Sequence, residues 1–303
     1  MKQNMTAEQV NAALSRKRAW GKAQKILANV FIYFVLLLMY APLIYITVFS
    51  FTTHKTAGVW GGFSMNNYTT LFDVGSNQIA KDIWSAAGNT ALVAIVSATL
   101  STVLGTLGAI GIYYLRKKWM KNTMDFVTQI PVVNAEIVTA VSLCVLFVIL
   151  ASVFKIERSF GTLVIGHIVL SIPYVVMSVK PKLEQMDPAL YEAAMDLGAT
   201  QTQALWKVII PDIVPGILSG FLLSITLSLD DYVITAFTKP TIGKFNTIST
   251  YVDGVTKKAG LPTQLRAFTA ILFAVILIVM IVMNVRSNIN AKKLVKKEKN
   301  KND

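Results

Sequence analysis

The stretch Asp187 to Pro211, DPALYEAAMDLGATQTQALWKVIIP, reads as a short helix, a tight turn and a second helix. Asp187 is placed to accept the free backbone amides of a first helical turn. Pro188 suits the first helical position because its missing N–H had no partner to lose. Leu190, Ala193, Ala194 and Leu197 recur at three- and four-residue spacing and make a small apolar stripe, with Glu192 and Asp196 one turn apart beside it. Gly198 is expected to end this helix, since glycine enters the left-handed conformation without a Cβ clash. Thr200 and Gln203 have the spacing of a capping box and start a second helix through Leu205, Trp206 and Val208, which Pro211 is expected to close. On composition alone, such an element is an amphipathic connector resting on a lipid surface.

Both flanks of this stretch are apolar. Runs at about 26–51, 86–115, 124–153, 161–179, 213–237 and 267–285 are each long enough to cross a bilayer, for which about 20 residues suffice. The 303 residues are 54% hydrophobic and 15% charged, with a mean hydropathy of +0.55, so the expected fold class is an all-α integral membrane protein with six transmembrane helices. The first run follows Arg16, Lys17, Arg18, Lys22 and Lys25. It exceeds the apolar core of a signal peptide and has no small-residue cleavage site after it, so it reads as an uncleaved span. Six spans with both termini cytoplasmic put residues 1–25, the knot Arg116, Lys117, Lys118 and Lys121, the 187–211 elbow and the basic tail 287–303 inside, around a transmembrane domain at 26–286. Counted over the full segments between the spans, with Lys180, Lys182 and Arg286 on the inner side, twenty of the 29 Lys and Arg residues lie inside and nine outside, as the positive-inside rule requires, although the outer segment 238–266 carries five of those nine. The net charge of +13 gathers at the chain ends and beside apolar runs, a membrane topology pattern, so the expected neighbour is the lipid bilayer and no nucleic acid. Ser97, Ser101 and Gly105, four residues apart, make a small face suited to close helix packing.

Few residues carry chemistry. Glu136 falls about a dozen residues into the third expected span, roughly 18 Å deep. A carboxylate there costs about 2.5 to 3.5 kcal/mol on insertion scales, so two readings stand: a weak site for a passing cation, or a hydrogen-bonded acid that fixes packing. Asp230 and Asp231, followed by Tyr232, fall roughly 26 Å along the fifth span, near its outer end, where both acids can stay ionised. With the adjacent aromatic they suit a polycation, or else ordinary hydration and a pairing with Lys239. His167 alone reads as a packed hydrogen-bonding group. The single cysteine, Cys144, lies in an apolar run and cannot build a disulfide within the chain. No GxxxxGK[ST], HExxH or GxSxG motif occurs and His54 and His167 form no ligand pair, so no catalytic residue, metal or cofactor is expected, and any ATP must be bound by another chain.

Glu192, Ala193 and Ala194, then Gly198, then Val208, Ile210 and Pro211, resemble the EAA loop of ABC importer permeases, with Val208 where isoleucine is usual and Ile210 where leucine is usual. Leu227 to Asp231, LSLDD, closely resembles a signature of the second permease subunit of spermidine/putrescine importers. Met39 to Phe51 and Trp60 to Phe72 are similar to that subunit's first span and the loop after it. Ile130-Pro131 and Glu136-Ile137-Val138 are similar to its IPEIV element, with Ala135 where the family has proline, and His167 has a counterpart there. The resemblance implies a type I importer permease (MetI-like) fold in the cytoplasmic membrane. It also implies an ATPase-coupling role for Glu192, Ala193, Ala194, Gly198 and Pro211, and a substrate path past Glu136, Asp230, Asp231 and Tyr232. The implied partners are two cytoplasmic ATPase subunits, a sister permease and an extracytoplasmic polyamine-binding protein. An importer of the same architecture for another solute is the alternative, and an ATP-independent secondary transporter a more distant one.

Overall fold

The computed structural model describes residues 7–54, 56, 58–155, 157–240 and 245–302. The first six residues lie outside it, as do the side chains of Arg16, Lys17 and Arg18 and of the tail from Lys292 to Lys301. The described residues are helical apart from loops and one isolated bridge between Thr52 and Phe63. In chain order the helices are α1 (Ala7–Phe49), α2 (Asn66–Phe72), α3 (Gln78–Tyr113), α4 (Lys118–Val133), α5 (Glu136–Phe154), α6 (Phe160–Gln185), α7 (Pro188–Asp196), α8 (Gln201–Ala204), α9 (Ile210–Asp230), α10 (Val233–Thr238), α11 (Ile248–Ala259) and α12 (Thr263–Asn302), with a π turn at Leu205–Ile209 between α8 and α9. Six stretches among the described residues are long and apolar enough to cross a membrane: Trp20–Phe49, Gln78–Tyr113, Glu136–Phe154, Phe160–Gln185, Gln201–Asp230 and Thr263–Val282.

Three expectations change. The run at 124–153 is two helices: α4 ends two residues after Pro131, where Asn134 and Ala135 both take extended backbone that breaks the hydrogen-bond ladder before α5 begins. Glu136 is therefore the first residue of α5 and exposed, not a side chain in the middle of a continuous span. The fifth run does not continue to residue 237: Asp231 is extended and ends α9, and the six-residue α10 follows. Pro211 closes nothing. The helix runs from Gln201 to Asp230, and the π turn just before Pro211 absorbs its missing N–H and its bulk, with the Ile210 amide donating to Leu205 O.

The chain divides into two units, residues 1–80 with 261–303, and residues 81–260. In the first, buried Asn67 donates through Nδ2 to Ser50 O (2.7 Å) and Thr52 O (2.8 Å), and Ser50 Oγ meets Tyr68 Oη at 2.6 Å, which holds the loop after α1 against α2. Arg266, buried near the start of α12, donates to His54 O at 3.3 Å. None of the apolar window of α1 is buried among the described residues.

The second unit is organised on α6 and α9. Val175, Val176, Val179, Leu183 and Met186 pack with Ile209 and Ile213, and Ala109 of α3 closes the cluster. Gly216 permits this contact, since a Cβ there would lie 2.9 Å from both Ser178 O and Lys182 Cγ. In lipid no hydrophobic drive separates one apolar partner from another, so this close fit is what selects helix against helix. Ser97 and Ser101 are fully buried, and a Cβ at Gly105 would strike Val175, so the small face of α3 does meet a neighbour.

Candidate functional site

At the elbow, Asp187 Oδ1 accepts the Ala189 amide at 3.0 Å, and Pro188 begins α7. Gly198 at φ +83° turns the chain, with its amide on Met195 O (2.9 Å) and the Ala199 amide on Ala194 O (3.0 Å), which satisfies the last carbonyls of α7. Thr200 and Gln203 form the reciprocal capping box at 2.9 and 3.3 Å. Ile209 and Ile213 anchor the far end of the elbow in the α6/α9 core, and Tyr191 packs against its edge. The Tyr191 ring lies 5.9 Å from Tyr114, which stands edge-on to Tyr113 at 5.1 Å, and Lys121 Nζ sits 5.2 Å over the Tyr113 ring. Burial first, and then Tyr113 and Tyr191, raise the Tyr114 phenol above its usual pKa and keep it protonated.

The opposite face of the elbow is bare. No residue of α7 is buried; Leu190 is 47% exposed, Leu197 89% and Trp206 65%, and Glu192, Ala193 and Pro211 are exposed beside them. An apolar stripe on a polar-rimmed element held rigidly by its other side has the form of a contact surface.

The second constellation surrounds the break after α9. Asp231 is 7% exposed; Oδ1 accepts the Ile234 amide (3.1 Å), and Oδ2 accepts both the amide and the hydroxyl of Thr235 (2.8 Å each). One carboxylate thus satisfies the first free donors of α10 and lies at the favourable end of its dipole. His167, 1% exposed, spans Thr235 Oγ1 (3.0 Å, Nε2) and Ser228 Oγ (2.9 Å, Nδ1). Thr235 gives its only hydroxyl proton to Asp231, so it accepts from His167, which places a proton on Nε2. In the neutral ring Nδ1 then accepts the Ser228 proton. Ser97 of α3 approaches Ser228 at 3.2 Å, and Ser249 of α11 donates to Asp231 O at 2.9 Å, so five helices meet here.

The structure therefore separates the two acids that the sequence pairs. Asp231 is turned inward as a cap, while Asp230 is exposed and Tyr232 is 38% exposed. Of the expected path residues, Asp230, Tyr232 and Glu136 present side chains to the surroundings. Ser228 and Thr235 were not singled out by sequence; their positions three residues before and four after Asp231, inside an apolar run, were the available signal. Lys180 of α6, paired with Asp125 of α4 at 2.6 Å, was also missed.

Residues 101–297 match the family model described as "Binding-protein-dependent transport system inner membrane component". The chain belongs to this family. Among curated relatives, this permease is 35% identical over 211 residues to the spermidine/putrescine transport system permease protein PotC of Haemophilus influenzae, covering 70% of this chain and 78% of that one. It is 33% identical over 203 residues to the putrescine transport system permease protein PotI of Escherichia coli K12, covering 66% and 69%. The crystal structure of a bacterial ABC transporter involved in alginate import superposes with a TM-score of 0.62 over 90% of this chain and 96% of that one at 17% identity, which is a likeness of fold. The permease is accordingly an all-α, multi-pass protein of the cytoplasmic membrane with the ABC importer permease fold.

Proposed function

We propose that this permease is one of two membrane subunits of an ATP-driven importer carrying polyamines of the spermidine and putrescine class. Its termini lie in the cytoplasm, two ATPase subunits hydrolyse the nucleotide, and an extracytoplasmic binding protein delivers the solute. The observation that carries the transport mechanism is the elbow, with one side built into the α6/α9 core through Ile209 and Ile213 and the other side apolar and uncovered at Leu190, Leu197 and Trp206. A motor that seats on that face moves α6 and α9 together, because the close packing at Gly216 gives them no room to slide independently. The names of the curated relatives support the polyamine substrate, as does the exposure of Asp230, Tyr232 and Glu136, two carboxylates and an aromatic suited to an extended cation.

The test is uptake of labelled spermidine and putrescine into proteoliposomes holding the four-subunit complex, with the binding protein outside and ATP inside. ATP-dependent, saturable accumulation is expected. Accumulation without ATP, or a complex that hydrolyses ATP with the binding protein but moves no polyamine, overturns the reading.

A further inference from the structure

A small polar cavity opens near the start of α3, within residues 81–260. It has a volume of about 70 Å³ and is lined by Asp82, Ser85, Ala86 and Asn89 of α3 and by Asn246 and Tyr251 from and just before α11. Water occupies about 30 Å³ per molecule, so this space takes two waters or a primary ammonium with its first methylene. Its walls are held in place: Asn89 Nδ2 donates to Asn246 O at 3.0 Å, and the Ile248 amide donates to Thr90 Oγ1 at 2.8 Å, which fixes the start of α11 on α3.

The lining chemistry narrows the occupant. One carboxylate among neutral oxygens is too few anionic ligands for a divalent cation, and no cluster of three metal-ligating side chains occurs among the described residues. An ammonium needs three acceptors and one countercharge, which a carboxylate, a hydroxyl and an amide oxygen supply. Tyr251 adds an aromatic face. Its phenol is raised above the usual pKa by burial and then by the Asp82 charge, so it stays neutral and does not compete for the role of anion. At the rim Lys239 Nζ donates to Asn246 Oδ1 at 3.3 Å and Asn89 Nδ2 to Asn246 O, so the amide oxygen that serves a ligand ammonium is that of the Asn89 side chain. Lys257 is held by Asp253 at 2.9 Å.

We propose that this cavity is a subsite for one primary ammonium end of the transported polyamine, with Asp82 as its counterion and Tyr251 stacking on the adjacent methylene. The proposal rests on the polyamine reading and goes beyond it by naming an entry site distinct from Asp230, Tyr232 and Glu136. In the proposed topology the start of α3 is extracytoplasmic, so the subsite meets solute leaving the binding protein.

Equilibrium binding of labelled putrescine to the complex in nanodiscs, without the binding protein, tests the subsite separately from uptake. Asp82→Asn removes the countercharge at constant shape, and Ser85→Leu fills the cavity with Asp82 in place, so one variant covers for the other if assembly suffers. Each is expected to weaken putrescine binding about tenfold or more, with methylammonium competing in the parent complex and not in the variants. Asp73→Asn, an exposed acid that does not line the cavity, is expected to bind as the parent does. Parent-like binding in both cavity variants, or a parent complex that binds no putrescine, overturns the subsite, and normal uptake in those variants would leave the import reading standing. Binding that depends on Asp82 in a complex that transports no polyamine keeps the subsite and overturns the import reading.

Discussion

Asp230 and Asp231 are adjacent in sequence, and the structure assigns them opposite consequences. Asp231→Ala strips the cap from α10 and leaves three buried donors, the Ile234 amide and the Thr235 amide and hydroxyl, without their acceptor. Each abandoned buried donor costs about 1 to 3 kcal/mol, and the loss of a capping side chain about 0.5 to 2 kcal/mol. These overlap, and the hydroxyl can rotate toward another acceptor, so the net expectation is about 2 to 4 kcal/mol. A change of about 1 kcal/mol moves the midpoint of a domain this size by about 2 to 4 °C, which gives a fall of roughly 5 to 15 °C in thermal unfolding of the detergent-solubilised permease. Asp231→Asn keeps one acceptor oxygen and is expected to fall between parent and alanine. Asp230→Asn alters an exposed side chain and is expected to shift stability by less than about 0.5 kcal/mol while lowering polyamine uptake. Equal destabilisation by the two asparagine variants, or an alanine variant of Asp231 that melts with the parent, would refute the assignment of Asp231 as the cap.

Other expectations follow from packing and backbone geometry. Gly198 sits at φ +83° in open space, so Gly198→Val strains the turn by about 1 to 2 kcal/mol without a clash, and Gly198→Asn, which tolerates that conformation, is milder; ATPase association measured by pull-down should follow the same order. Ile213→Ala in the fully buried α6/α9 contact is expected to cost about 2 to 5 kcal/mol, read as a lower melting temperature and lower yield of folded complex. Lys180→Met breaks a pair with Asp125 that is about one-fifth exposed on each side, and a loss of no more than about 1 kcal/mol is expected in the same melt.

Much of the elbow was legible because its signals are local. Asp187, Pro188, Gly198, Thr200 and Gln203 act through the chemistry of their own turns, and each does in the structure what its position predicts. The helix breaks were less legible. Pro131 and Pro211 carry the same sequence signal, yet the helix ends two residues after Pro131 and continues through Pro211, where the π turn and the anchoring of Ile209 and Ile213 compensate for the lost hydrogen bond. The division of labour between Asp230 and Asp231 was not legible either. It depends on which acid faces Thr235 and His167, and a helix that ends between two identical residues gives no periodic cue. The outward face of Leu190 and Leu197 was visible as a stripe, but a stripe looks the same whether it packs within its own chain or awaits another.

In the proposed mechanism the motor seats on the bare face of the elbow. Introducing charge there by Leu197→Glu with Trp206→Glu leaves the buried core untouched. Co-purification of the ATPase subunits with this double variant is the direct measurement. The expected result is a permease that melts as the parent does, retains its sister subunit and has lost the ATPase; undiminished ATPase in the purified complex would contradict it.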